Sequence, residues 1–263
     1  MSIDYQNISD SHQLVVDVFK GFRQELMTQY GVISHTRKAD MTQVTELDIK
    51  IEQSLKDQLT RSFPELGFQG EETGKFGNEQ QFWLVDPIDG TSSFIRGLPF
   101  CTNMAALIDD NQTVAAIIYD FVNDVLYTAI KGEGAYRNQQ KMHIDVDRQS
   151  GNLSIYSLTN HRFNDLSTTM LNAGIKCFYP FGAAGHSYAM LAEGKIDGVS
   201  VLNTKTGAHD NAPGMLLVRE AGGDVISFSE RDDIYVHEFV AGSPMVMDLI
   251  GQHQATFRTL IGR

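Results

Sequence analysis

The sequence predicts a layered α and β fold built as two coupled halves, residues 1–150 and 151–263. Three patterns predict it. Apolar residues at helical spacing dominate the chain up to Ser62, short strand-like runs separated by turns follow from Phe82 to Ile130, and strand-like and helix-like segments alternate after Gly151. A chain of helix pairs and sheets buries its apolar faces by stacking them in layers.

From Ser9 to Tyr30, the residues Leu14, Val15, Val18, Phe19, Phe22 and Leu26 recur at helical spacing. This predicts an amphipathic helix with Ser9 and Asp10 as candidate caps. A second helix is predicted from Thr45 to Ser62, with Leu47, Ile51, Leu55 and Leu59 on one face and Pro64 and Gly67 ending it. Phe82–Val85 reads as a short apolar strand. Met104–Ile108 and Val114–Tyr119 read as a hairpin about the polar turn Asp109–Gln112, and Val125–Ile130 continues the antiparallel run. In the second half, strands are predicted at Ser154–Leu158, Lys176–Tyr179, Ile196–Val201 and Val225–Phe228. Helices are predicted between them near 164–172, 184–193 and 210–221, the last closed by Gly222 and Gly223.

Composition narrows the function. A chain of 263 residues that is 42% hydrophobic can build a substantial core, burying roughly 70–75% of its unfolded surface. A net charge of −12 argues against nucleic acid as a main partner, because phosphate backbones need clustered Lys and Arg. No apolar run approaches the roughly 18 residues of a membrane span, and the polar start MSIDYQNISDSHQ lacks the order of a signal peptide. Cys101 and Cys177 lie in apolar surroundings and read as reduced thiols rather than a disulfide or metal pair. A cytoplasmic protein is expected.

The segment with most chemistry in it is Asp86-Pro87-Ile88-Asp89-Gly90-Thr91, directly after the apolar strand. Two carboxylates three apart at a strand end can share a hard cation. If Gly90, Thr91 and Ser92 begin a helix, their amides would face an anion. An ordinary Asp-Pro turn followed by an Asp cap remains the alternative. Upstream, Glu71 and Glu72 stand in a glycine-flanked loop, either as a solvated acidic turn or as partners of Asp86 returning across one strand. Asp210, in His209-Asp210-Asn211, is placed either as a first-turn acid of a helix or as the distant acid a second cation would need. Thr45 and Asp48 have the spacing of a box-like helix cap. Gly132-Glu133-Gly134 lacks the third glycine and apolar helix of a dinucleotide-binding loop and reads as a turn.

Taken in order, GEE at 70–72, WLVDPIDGTSSF at 83–94, GEGAYRNQ at 132–139 and HDNAPGMLLVREAGGDV at 209–225 resemble the inositol monophosphatase family across nearly the whole chain. The resemblance implies an αβαβα five-layer sandwich of the inositol monophosphatase/fructose-bisphosphatase type, usually a homodimer. It implies Mg2+-dependent, lithium-sensitive hydrolysis of a small phosphorylated metabolite, with two to three ions per subunit and Mn2+ able to serve. By the same resemblance, Glu71, Asp86 and the Ile88 carbonyl would hold one ion, and Asp86, Asp89 and Asp210 a second. Thr91 and Glu71 would activate water, Asp48 would support Thr91 from behind, and the amides of Gly90 and Thr91 would receive phosphate.

Departures from the family pattern concern the substrate. His209 stands where the family commonly has Trp, and Pro213 where it has a small residue; Pro213 suits a first helical turn. Around Asn203, where inositol-cleaving members tend to carry an acid, the chain reads LeuAsnThrLysThrGly. Lys205, His209 and His186 are candidate substrate contacts, with surface charge or packing as their alternatives. Arg37 and Lys38 fall near the family's basic active-site loop. Aspartyl-phosphate phosphatases also carry Asp-Gly-Thr, but their two acids are separated by one residue rather than two.

Overall fold

In the computed structural model the described residues are 3–37, 43–145, 151–157, 160–178, 180, 182–202, 204, 206–228 and 233–252. The N-terminal helical pattern gives α1 (Tyr5–Gln29), which buries Val15, Val16, Val18, Phe19 and Leu26. It begins before Ser9 and Asp10. Asp4 caps it instead by accepting from the Asn7 amide, and the polar first turn carries no apolar period that would reveal the start. The short pair β1 (His35–Arg37) and β2 (Gln43–Thr45) leads into α2 (Glu46–Ser62), capped by Thr45 with Asp48 answering at the third position. Both helices pack on one face of the first sheet, where Phe19, Leu47 and Ile51 meet Trp83, Val85 and Ile117.

That sheet contains β3 (Gly67–Gly70), β4 (Gly74–Phe76) and β5 (Gln81–Asp89). After the five-residue α3 (Thr91–Ile95) it continues through β6 (Thr102–Asp109), β7 (Gln112–Asp120), β8 (Val125–Ile130), β9 (Gly134–Arg137) and β10 (Gln140–Met142). The order is β10-β9-β8-β7-β6-β5-β3-β4. Its neighbours pair antiparallel, except for the parallel pair β3–β5. The predicted hairpin turns at Asp110 and Asn111, both at positive φ, as a two-residue loop that follows strand twist requires.

The second sheet comes from β11 (Asn152–Ser157), β12 (Lys176–Phe178), β13 (Gly198–Leu202), β14 (Asp224–Ser227) and β15 (Phe239–Gly242), in the order β12-β11-β13-β15-β14. Its helices are α4 (Asn160–Asn172), α5 (Ala184–Ala192), α6 (Ala208–Glu220) and α7 (Pro244–Gln252). Helices α5 and α6 lie between the sheets. Their Tyr188, Leu191 and Leu217 join Met104 and Ile118 of the first sheet to Val199 and Phe239 of the second in one buried cluster. On the far side, Met170, Val246 and Ile250 of α4 and α7 cover Leu153, Ile155 and Val240. The layers therefore run helix, sheet, helix, sheet, helix, the expected five.

The middle layer is tightly spaced. A Cβ on Gly214 of α6 would fall 2.1 Å from the Tyr188 ring of α5, so only glycine permits this crossing. Helix α6 starts earlier than expected, at Ala208, which puts Pro213 at its sixth residue rather than in its first turn. With no N–H there, the His209 carbonyl loses its usual helical partner.

Candidate active site

The Asp86–Asp89 pair owes its geometry to an irregularity. In a regular strand, residues three apart point to opposite faces. Strand β5 pairs with β6 from Gln81 to Asp86 and again at Asp89, with a register shift between them at Pro87 and Ile88. Proline cannot donate to the ladder, so a bulge is where a central strand can hold one. The Pro87 carbonyl is taken by Asn103 Nδ2 at 2.5 Å, and Asp86 Oδ1 accepts from the Ile88 amide at 3.1 Å. The bulge brings both carboxylates to one side. The strand thus extends to Asp89 rather than ending at Val85.

Glu71 arrives through parallel pairing. Gly70 of β3 lies opposite Val85, and the Glu71 amide donates to the Val85 carbonyl at 3.1 Å, so the next residue on each strand puts Glu71 beside Asp86. The loop is held by Glu52, which the sequence reading missed. Its buried carboxylate accepts from the amides of Glu72 and Thr73, each at 2.8 Å. A Cβ on Gly70 would strike that carboxylate at 2.1 Å. The available signal was an acid one turn after Asp48, on the helix side that also carries Ile51 and Leu55.

Asp210 is the third residue of α6, and its Oδ2 accepts from the Gly207 amide at 2.6 Å. Its role as a capping acid and its place among the other carboxylates are therefore both realised. Asp89 accepts from the Ala184 and Gly185 amides at the start of α5, at 2.9 and 2.8 Å, and from Thr102 Oγ1 at 2.9 Å. Three donors leave about one of a carboxylate's four lone-pair positions for another ligand.

Oxygens of Asp86, Asp89 and Asp210 lie within 4.8 Å of one another, and so do ligand atoms of Glu71, Asp86 and His209. Burial, then the facing charges of Glu71, Asp89 and Asp210, push the Asp86 carboxyl well above its usual range. Burial raises Asp89 as well, against its hydrogen bonds from Gly185, Ala184 and Thr102. It pushes Asp210 up to about 6 and Asp48 up to about 7. Converging buried carboxylates repel unless a cation joins them. This donor set, almost all oxygen, fits magnesium or manganese. Glu71, Asp86 and Asp210 open into a cleft of about 450 Å³ that Arg37, Thr91, Ser92 and Arg96 also line.

Thr91 Oγ1 donates to the Ile88 carbonyl at 2.9 Å. Asp48 Oδ2 instead accepts from the amide and hydroxyl of Thr45, at 2.8 and 2.6 Å. A hydroxyl has one proton, so Thr91 does not also give it to Asp48. Gly90, at φ 82, turns the chain from β5 into α3. A Cβ there would meet the Phe100 carbonyl at 2.4 Å. His186 does not line the cleft. Its Nε2 lies 3.1 Å from Asp120 and its ring meets Phe100 edge-on, because α5 turns that side chain toward the end of β7. Lys38, Asn203 and Lys205 lie outside the described residues. Cys101 and Cys177 are free thiols. No helix among the described residues is long and apolar enough to cross a membrane.

The chain matches the inositol monophosphatase family over residues 2–257. It is 32% identical over 206 residues to a protein of Xylella fastidiosa named Nus factor SuhB, covering 74% of this chain and 73% of that one. It is 32% identical over 212 residues to an inositol-1-monophosphatase of Mesorhizobium japonicum, covering 77% and 79%. The solved structure of extragenic suppressor protein suhB from Bartonella henselae superposes with a TM-score of 0.81 at 26% identity, covering 97% and 99%. With this family match over nearly its full length, and the fold and carboxylate cluster that go with it, the chain belongs to the inositol monophosphatase family.

Proposed function

We propose that the chain is a magnesium-dependent phosphatase of small phosphate monoesters, using water rather than a protein carboxylate as the nucleophile. The observation that carries this reading is the pair of ligand groups joined at Asp86, one with Glu71 and the other with Asp89 and Asp210. Glu71, Asp86 and the Ile88 carbonyl would hold one ion, and Asp86, Asp89 and Asp210 a second; a third, looser ion would be reached through Glu71 and water. Bound there, magnesium neutralises phosphate charge, lowers the pKa of water and stabilises the leaving alkoxide. Glu71 takes the proton of the attacking water. The Thr91 hydroxyl donates its hydrogen bond to the Ile88 carbonyl, which leaves its oxygen lone pairs to hold that water. The amides of Gly90 and Thr91 receive the phosphate. Arg37 and Arg96 at the cleft favour an anionic substrate in an otherwise acidic protein.

Inositol phosphate leads the substrate choices because of the relative named inositol-1-monophosphatase; histidinol phosphate, a sugar bisphosphate or a nucleotide phosphate would undergo the same chemistry. Phosphate release measured across such a panel, with and without Mg2+, tests the reading and ranks the alcohols. Release should require the metal, fall on lithium titration and trap no phosphorylated aspartate. A second reading comes from the Xylella relative, whose name is not that of an enzyme: a silent relative acting through a binding partner. The retained set Glu71, Asp86, Asp89, Thr91 and Asp210 favours catalysis, and absence of metal-dependent release from every ester would favour the partner. A homodimer in the cytoplasm is part of the proposal; the free thiols suit a reducing compartment.

A further inference from the structure

We propose that His209 is itself a metal ligand, which gives the position shared by Glu71 and Asp86 one imidazole nitrogen and favours ions that accept nitrogen more readily than magnesium does, manganese among them. This rests on the metal-dependent reading above. A ring nitrogen of His209 and carboxylate oxygens of Glu71 and Asp86 all lie within 4.8 Å of one another. Donors about 2.0–2.2 Å from one ion stand no more than about 4.4 Å apart, so a small inward movement brings these three onto a common centre.

The backbone is shaped for that ring. A Cβ on Gly207 would fall 2.5 Å from His209 Cε1, so the glycine leaves room for the imidazole to fold back over the start of α6. His209 Nε2 also stands 3.4 Å from Asp210 Oδ2. Asp210 belongs to the second ligand group with Asp86 and Asp89, so the imidazole sits at the junction of the two groups. Oxygen-only sets suit magnesium, whereas imidazole shifts preference toward later divalent ions. The competing account is a simple ion pair between His209 and Asp210, with no bond to metal.

Pulsed electron paramagnetic resonance of Mn2+ added to the chelator-stripped full chain separates these accounts, because it detects a nitrogen nucleus bonded to the ion. The expected result is a directly coordinated nitrogen in the native chain that disappears in His209→Phe, which keeps a ring over Gly207. Calorimetric titration of the same variant should show Mn2+ affinity lower by about ten- to a hundredfold, and Mg2+ affinity changed much less. Bound Mn2+ without nitrogen coupling in the native chain overturns the proposal whether or not the variant folds, and leaves the phosphatase reading standing. Failure of the native chain to bind either ion overturns both.

Discussion

Asp89 accepts from the Ala184 and Gly185 amides and from Thr102 Oγ1, so an asparagine there would turn its own N–H₂ toward at least one of these donors. Asp89→Asn should therefore lose stability, by about 1–3 kcal/mol for a buried donor left unsatisfied, as well as turnover. Glu71 borders the open cleft. Glu71→Gln should lower turnover by about a hundredfold or more while its melting temperature stays close to that of the native chain. Thermal melts and phosphate release on the two variants side by side check this; a Glu71→Gln protein with native turnover would remove Glu71 from the mechanism. The four carboxylates stood out in the sequence beside an Asp-Pro step, a glycine loop and a helix start, and the family resemblance, not the spacing alone, singled them out as one set. Their partners did not stand out. Thr102 comes opposite Asp89 only through the irregular β5–β6 register, and the Ala184 amide, far along the chain, reaches it only through the packing of α5 against the first sheet.

The elements were legible wherever periodicity was strong. Helix α2, the β6–β7 hairpin and β8 lie close to their expected bounds because an apolar face repeats over several turns or alternates beside a polar turn. Strand β3, with the sequence GFQG, was not legible: glycine is a poor strand residue, and only pairing with β5 and the approach of Glu52 explain it. The bulge in β5 was equally hidden, since Asp-Pro reads as a turn while the structure keeps it in a strand. Glu52 links these levels, because one side chain on α2 fixes the loop that presents Glu71. Glu52→Gln keeps one acceptor and puts an N–H₂ against a backbone amide. It should weaken Mg2+ binding about ten- to a hundredfold, the usual effect of removing a group that orients a ligand. Calorimetric titration measures this, and unchanged affinity would mean that the β3–β5 pairing alone holds Glu71.

The whole molecule carries opposing proton-linked terms that should set its pH profile. In the metal-free chain, Asp48 titrates at about 7 and Asp210 at about 6, both raised first by burial. A carboxyl whose folded pKa exceeds its unfolded value binds more protons in the folded state, so stability falls as pH rises through the window from about 4 to 7. His12 acts in the opposite sense. Burial lowers it to about 4, so the unfolded chain takes up the extra proton and stability falls as pH drops below about 6.5. Two raised carboxyls outweigh the one histidine over the window they share, so these groups should make the metal-free protein lose stability as pH rises from about 4 to 7. Saturating Mg2+ favours the ionised ligands Asp86, Asp89 and Asp210, which removes much of that loss. Thermal melts across pH 5 to 8.5, with chelator and with Mg2+, give both curves. A metal-free melting temperature that climbs steadily from pH 6 to 8 would contradict the raised carboxyls. Curves that coincide with and without the ion would contradict the metal site itself.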